Sequence, residues 1–197
     1  MSRKIFANYD FDGIYVYQAF KPSIVEAALE KGTFGKGFGF DRMTWIKPSY
    51  GWMLYRSGYA TKLRQTAILK IKLSHIGFKK ILSQSVQTTY SPHLYSSERE
   101  WHLALKASDV RHQWDPDRAL VGNKLGRRAI QIGIRGETLC SYINEWIIGL
   151  QEVTSLARQI QEAIHNGLPL PDVPAEEEYI VEDDLATRLN ISFSHNG

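Results

Sequence analysis

Strict alternation of apolar and polar side chains along two stretches limits this chain more than any other feature. Thr66–Ser74, TAILKIKLS, places Ala67, Leu69, Ile71 and Leu73 on one side and Lys70 and Lys72 on the other. Arg127–Arg135, RRAIQIGIR, places Ile130, Ile132 and Ile134 on one side and Gln131, Gly133 and Arg135 on the other. A period of two fits a strand with one buried face, and a helix would scatter these apolar residues around its axis. The polar row Gln131, Gly133 and Arg135, apolar behind, predicts the floor of a cleft. A third strand is expected over Ile14–Phe20, IYVYQAF, which is β-branched and aromatic. Gln18 interrupts its apolar row, either as a core-edge amide or as a site residue.

Between these strands the signals turn helical. Pro22 opens a helix with Ile24, Val25, Ala28 and Leu29 as its stripe and Gly32 as its C-cap. Pro48 is expected to open a second one that runs through Trp52, Met53 and Tyr55 to Gly58. Glu98–Lys106 allows helix or strand, and the alternation of Trp101, Leu103 and Leu105 favours strand. Asp115-Pro116-Asp117-Arg118 reads as a tight turn. From Thr138 to Asn166, Leu139, Ile143, Trp146, Leu150, Val153, Ala157, Ile160 and Ile164 follow a heptad. That predicts about 28 residues of helix, roughly 40 Å long, which Gly149 can split. Its seam packs on the sheet or joins two copies as a homodimer. The expected fold class is therefore α+β. It comprises one domain over residues 1–167, with a mixed, twisted sheet and a long C-terminal helix, and an acidic extension over 168–197.

Charge is distributed unevenly. Residues 1–135 carry 22 Lys and Arg against 10 Asp and Glu, and residues 136–197 carry 2 against 11. Such a body suits phosphate-rich partners, and an acidic segment can also fold back to neutralise it. Within the basic part, Phe40–Tyr59 interleaves two Trp and three Tyr with Arg42, Lys47 and Arg56. Rings stack on bases or nicotinamide, and Arg and Lys grip phosphates. Lys47 before a helix N-terminus at Pro48, with Ser49 in its first turn, predicts an anion site there. Trp45, Trp52 and Tyr55 can equally be core.

Several chemistries have no support. No apolar run of about 18 residues occurs, and a soluble cytoplasmic protein is expected. Six His show no metal-ligand spacing, so no metal site is expected. The single Cys140 excludes an internal disulfide and is expected to be a buried thiol. The glycine-rich GTFGKGFG is not a Walker loop, because no Gly-Lys-Ser/Thr follows the spacing.

The motifs DRMTWIKPSYGWMLYRSGYATK, WDPDR and RRAIQIGIRG closely resemble a widespread uncharacterised family, a domain of unknown function with the hallmark RMTWIKPS. The resemblance covers about residues 5–165 and implies no activity. YVYQAF, the Pro22 helix and Gly32 also resemble the opening unit of the ADP-ribosyltransferase superfamily, and RRAIQIGIRG resembles its closing strand. This implies a split sheet that cradles NAD, and transfer to a nucleotide or nucleic-acid acceptor. Catalytic roles then fall to Gln18, Thr44, Gln131 and Glu137, and cofactor binding to Tyr17, Arg42, Trp45, Lys47, Ser49, Trp52 and Arg56. In that picture Gln18, Tyr17 and Trp45 frame the nicotinamide, and Arg42, Lys47 and Arg56 hold the pyrophosphate. Gln131 or Glu137 orients the ribose. Gln131 stands where that superfamily has a Glu; Glu137 and Glu100 are the nearby acids. The competing expectation is a non-catalytic RNA- or DNA-binding module that uses the same basic, aromatic surface.

Overall fold

The two alternating segments become the central strands of two different sheets. In the computed structural model, which describes residues 1–192, the chain begins with short strands β1 (Ser2–Arg3) and β2 (Phe6–Ala7). β3 (Gly13–Phe20), α1 (Pro22–Lys31), β4 (Thr44–Ile46) and α2 (Tyr50–Ser57) follow. Next come β5 (Ala67–Ser74), α3 (His75–Ser83), β6 (Ser85–Gln87), α4 (Glu98–Ala107), β7 (Val110–Arg118) and β8 (Lys124–Ile134). The chain continues through α5 (Gly136–Ser141), a π-helical turn at Tyr142–Trp146, β9 (Ile147–Glu152), α6 (Thr154–Asn166), β10 (Glu177–Glu178) and α7 (Asp183–Arg188). The last five positions of the 168–197 extension lie outside the described residues.

β5 is the middle of the antiparallel sheet β3–β5–β9. β8 is the hub of a mixed sheet: it pairs β7 and β4 antiparallel and β1 parallel, and β6 runs parallel to β7. The class is α+β with mixed sheets, as expected. A bridge joins the two sheets, where Tyr17 N–H donates to the Lys47 carbonyl at 2.7 Å and Lys47 N–H returns to Tyr17 at 3.1 Å. One residue further along β3, the Gln18 side chain spans to β4 in place of backbone pairing. Apart from that bridge, the strands belong to separate sheets.

The expected long C-terminal helix is broken into α5, the π-helical turn, β9 and α6. Ile147, Ile148 and Gly149 are poor helix formers. The second edge of β5 is open to pairing, and Leu150 pairs with Ile71 and Ile147 with Leu73 there. A local heptad thus yields to a long-range ladder. Leu139, Ile143, Trp146, Val153, Ala157 and Ile160 are buried within the chain, which is the packing alternative for the heptad positions. Gly77 lets α3 come close: a Cβ there would lie 2.4 Å from Trp146 Cβ.

Glu98–Ala107 is helix and not strand. Ser97 Oγ accepts from Glu100 N–H at 3.2 Å, and the Glu100 carboxylate accepts from Ser96 N–H at 2.9 Å. This Ser-x-x-Glu start outweighs the alternation of Trp101, Leu103 and Leu105. The Asp115–Arg118 motif is strand and not turn, with the register shift of a bulge between Pro116 and Arg118. Cys140 is exposed and not buried.

The acidic C-terminal segment folds back on the basic body. β10 pairs with β2, Tyr179, Leu185 and Leu189 enter the main core, and Glu178 pairs with Lys4. No helix among the described residues is long and apolar enough to cross a membrane.

Candidate functional site

Beside the bridge between the sheets, a cleft of about 830 Å³ opens between β3, β4, the start of α1, α2 and the polar face of β7–β8. Of the row anticipated from RRAIQIGIR as its floor, only Gln131 is among the lining residues. Gly133 lets Met43 and Trp45 lie across β8, since a Cβ would come within 2.5 Å of Met43 Sδ and 2.9 Å of Trp45 Cζ2. Arg135 leaves the row to bond the carbonyls of Lys106 and Ser108 at the C-terminal end of α4.

The lining cations are Lys21, Arg42, Lys47, Arg56 and Arg64, and its carboxylate is Asp115. Lys47 is only 8% exposed, and its ammonium has one long contact, 3.4 Å to the Trp45 carbonyl. It forms no ion pair among the described residues. Burial pulls its pKa down to about 8; the Arg56 charge pushes the same way and Asp115 opposes it. Arg42 and Arg56 are exposed at the mouth, also without ion pairs among the described residues. Asp115 is gripped by amides and not by cations: Gln113 Nε2 donates to Oδ1 at 2.8 Å and Gln131 Nε2 to Oδ2 at 2.6 Å.

Gln18 is 2% exposed and fully engaged. Its Nε2 donates to Thr44 Oγ1 at 2.6 Å and to the Trp45 carbonyl at 3.3 Å, and its Oε1 accepts from the Tyr142 hydroxyl at 2.9 Å. Complete burial drives the Tyr142 pKa well above its ordinary value, so the phenol stays neutral. On the α2 wall, Trp52 has a buried indole N–H with no acceptor among the described residues. Its ring stacks on Tyr55 at 5.5 Å. The Arg56 guanidinium lies 6.0 Å from the Trp52 ring, and that of Arg118 3.9 Å from the Tyr55 ring.

Eight of the eleven residues singled out from sequence therefore meet in one cleft: Gln18, Arg42, Thr44, Trp45, Lys47, Trp52, Arg56 and Gln131. Tyr17, Ser49 and Glu137 do not line it. Tyr17 is buried behind β3 with its ring 4.7 Å from Tyr50. Glu137 is exposed in the first turn of α5. Ser49 caps α2, accepting from Trp52 N–H at 3.2 Å and donating to Asp117 at 2.7 Å. The anion site expected at this helix N-terminus is filled from within, because the Glu176 carboxylate accepts Tyr50 N–H at 2.5 Å.

Gln113, Asp115 and Tyr142 were missed. The signal for the first two was present: Val110, His112 and Trp114 alternate with Arg111, Gln113 and Asp115, and Asp-Pro concealed it by resembling a turn.

The geometry defines an α+β protein with a cation-rich, ring-lined cleft between two sheets. Comparison with protein families matches residues 4–179 to Domain of unknown function (DUF4291), and the chain belongs to that family. Comparison with curated proteins finds no match.

Proposed function

We propose that the cleft binds NAD and that the chain acts as an ADP-ribosyltransferase-like enzyme on a nucleotide or nucleic-acid acceptor. The observation that carries this reading is Lys47, a buried ammonium that opens on a cleft, forms no ion pair among the described residues and feels Asp115 only at longer range. Burying such a charge costs free energy that a bound anion recovers. The cleft volume, about 830 Å³, suits a ligand of dinucleotide size. Lys47, Arg56 and Arg42 hold the pyrophosphate. The Trp45 ring and the Gln18–Thr44 wall flank the nicotinamide end. Asp115 takes the ribose-orienting part that the sequence had offered to Gln131 or Glu137. It faces the ribose as positive charge develops at C1′. The C1′–N bond breaks with its electron pair leaving on nicotinamide, the acceptor oxygen bonds to C1′, and the acceptor proton passes to Asp115.

Calorimetric titration with NAD tests this. Binding in the micromolar to millimolar range is expected, weakened at least tenfold by Lys47→Ala. No heat at millimolar NAD overturns the reading. A second reading, a nucleic-acid-binding module, is favoured by the Arg56–Trp52–Tyr55–Arg118 ladder, which continues from the cleft to the exposed Tyr55. It requires single-stranded nucleic acid to bind with a steep salt dependence and no release of nicotinamide from NAD.

A further inference from the structure

We infer that the Thr44 hydroxyl is a specificity-determining donor of the cleft, and that its hydrogen is satisfied by an accepting ligand oxygen such as a carbonyl or phosphoryl oxygen. The inference rests on the cleft being a ligand site but does not require the ligand to be NAD.

The argument is one of hydrogen-bond polarity. A carbonyl oxygen cannot donate, so the contact to Trp45 O at 3.3 Å fixes which end of the Gln18 amide is nitrogen. Gln18 Oε1 must then face Tyr142, and the buried, neutral phenol donates to it at 2.9 Å. Both hydrogens of Nε2 are committed, one to Trp45 O and one to Thr44 Oγ1 at 2.6 Å. Thr44 Oγ1 is therefore an acceptor in this chain. A hydroxyl carries one hydrogen, and no acceptor for that hydrogen exists among the described residues.

Thr44 lines the cleft and is only 8% exposed. Its hydroxyl is thus presented to the cleft as a donor, turned by a relay that starts in the core. An N–H or ammonium at this position could use only the remaining lone pair of Oγ1 and would leave its hydrogen without an acceptor. A carbonyl or phosphoryl oxygen would complete the chain Tyr142 → Gln18 → Thr44 → ligand. Gln18 acts as a positioning residue, which explains why an amide interrupts the apolar row of β3.

Thr44→Ser and Thr44→Ala test this as a pair. Both lose the same methyl, and only Ala loses the donor; Thr44→Val, which keeps the shape, serves if Ala does not fold. Binding of NAD, ADP-ribose and inorganic pyrophosphate is measured by calorimetry on the full chain. Ala is expected to lose about tenfold in affinity while Ser stays within about twofold of wild type. A loss confined to NAD identifies a carboxamide oxygen, and a loss shared by all three identifies a phosphoryl oxygen. Ala binding all three like wild type, or Ser weakening as much as Ala, overturns the inference and leaves the NAD reading standing. Wild type binding pyrophosphate but not NAD, with Ala impaired, does the reverse. Wild type binding none of the three removes both.

Discussion

Two cationic sites flank the start of α2, and the protein treats them in opposite ways. Behind the helix, Arg127 meets Asp117 at 2.7 Å and Glu176 at 3.9 Å. Asp117, 1% exposed, also accepts from Ser49 and from Arg118 N–H. Every charge there has a partner from the same chain. In front of the helix, Lys47 is buried almost as deeply and has none among the described residues. A paired buried charge locks structure, whereas an unpaired one carries a burial cost that, on the reading proposed above, a bound anion meets.

The largest effect expected on either side is Asp117→Ala. It strips Ser49, Arg118 and Arg127 of an acceptor at once, leaving the cap hydroxyl's hydrogen unpaired and Arg127 with only its long contact to Glu176. Chemical denaturation should show a loss of about 3–5 kcal/mol. A loss below about 1 kcal/mol would mean that the clasp is not structural, and the contrast between the two sites would fail.

Next in size is the pH dependence contributed by Glu176. Burial raises its pKa from 4.5 to about 7, with the Asp117 charge adding to the shift and Tyr50 N–H and Arg127 opposing it. The folded state therefore holds this proton more tightly than the unfolded state. The stability it confers is fully present below about 4.5 and is lost as pH rises through 7. Glu176→Gln keeps an acceptor for Tyr50 N–H and removes the titration. The difference in stability between wild type and Glu176→Gln should change by about 3 kcal/mol between pH 4.5 and 7.5. His112, buried beside Ser85 with its pKa lowered to about 3, works in the opposite direction and loses stability as pH falls below 6.5. It is common to both proteins and drops out of the difference, and a flat difference would show that Glu176 is solvated.

This contrast also marks how far sequence reaches. β3, β5, the 127–134 part of β8 and α1 with its Gly32 cap were legible, because period and cap chemistry are local. So was the crowding of Arg42, Lys47, Trp52 and Arg56 near one site, because unpaired cations among rings are visible as composition. The clasp was not: Ser49 reaches Asp117 across 68 positions and Tyr50 reaches Glu176 across 126. The break in the 138–166 segment was equally hidden, since only the open edge of β5 makes strand the better state for Ile147–Glu152. Asp115 fell between these cases, its alternation overridden by the turn signal of Asp-Pro.

The smallest effect on stability, and the sharpest test of the contrast, belongs to Lys47. Replacement by Met removes a desolvated ammonium and fills the same space with an apolar chain, so the free protein should be unchanged or more stable by about 1 kcal/mol. Binding of NAD or pyrophosphate should fall at least tenfold. The pH signs follow from a folded pKa of about 8 against 10.5 unfolded. The unfolded state binds the proton more tightly, so the burial penalty is present below 8 and relieved as pH rises from 8 to 10.5. Anion binding should weaken over that window as the ammonium is lost, and Met should abolish both trends. If Lys47→Met instead destabilises the protein by as much as Asp117→Ala, Lys47 belongs to the fold, and the two sides of α2 do the same work.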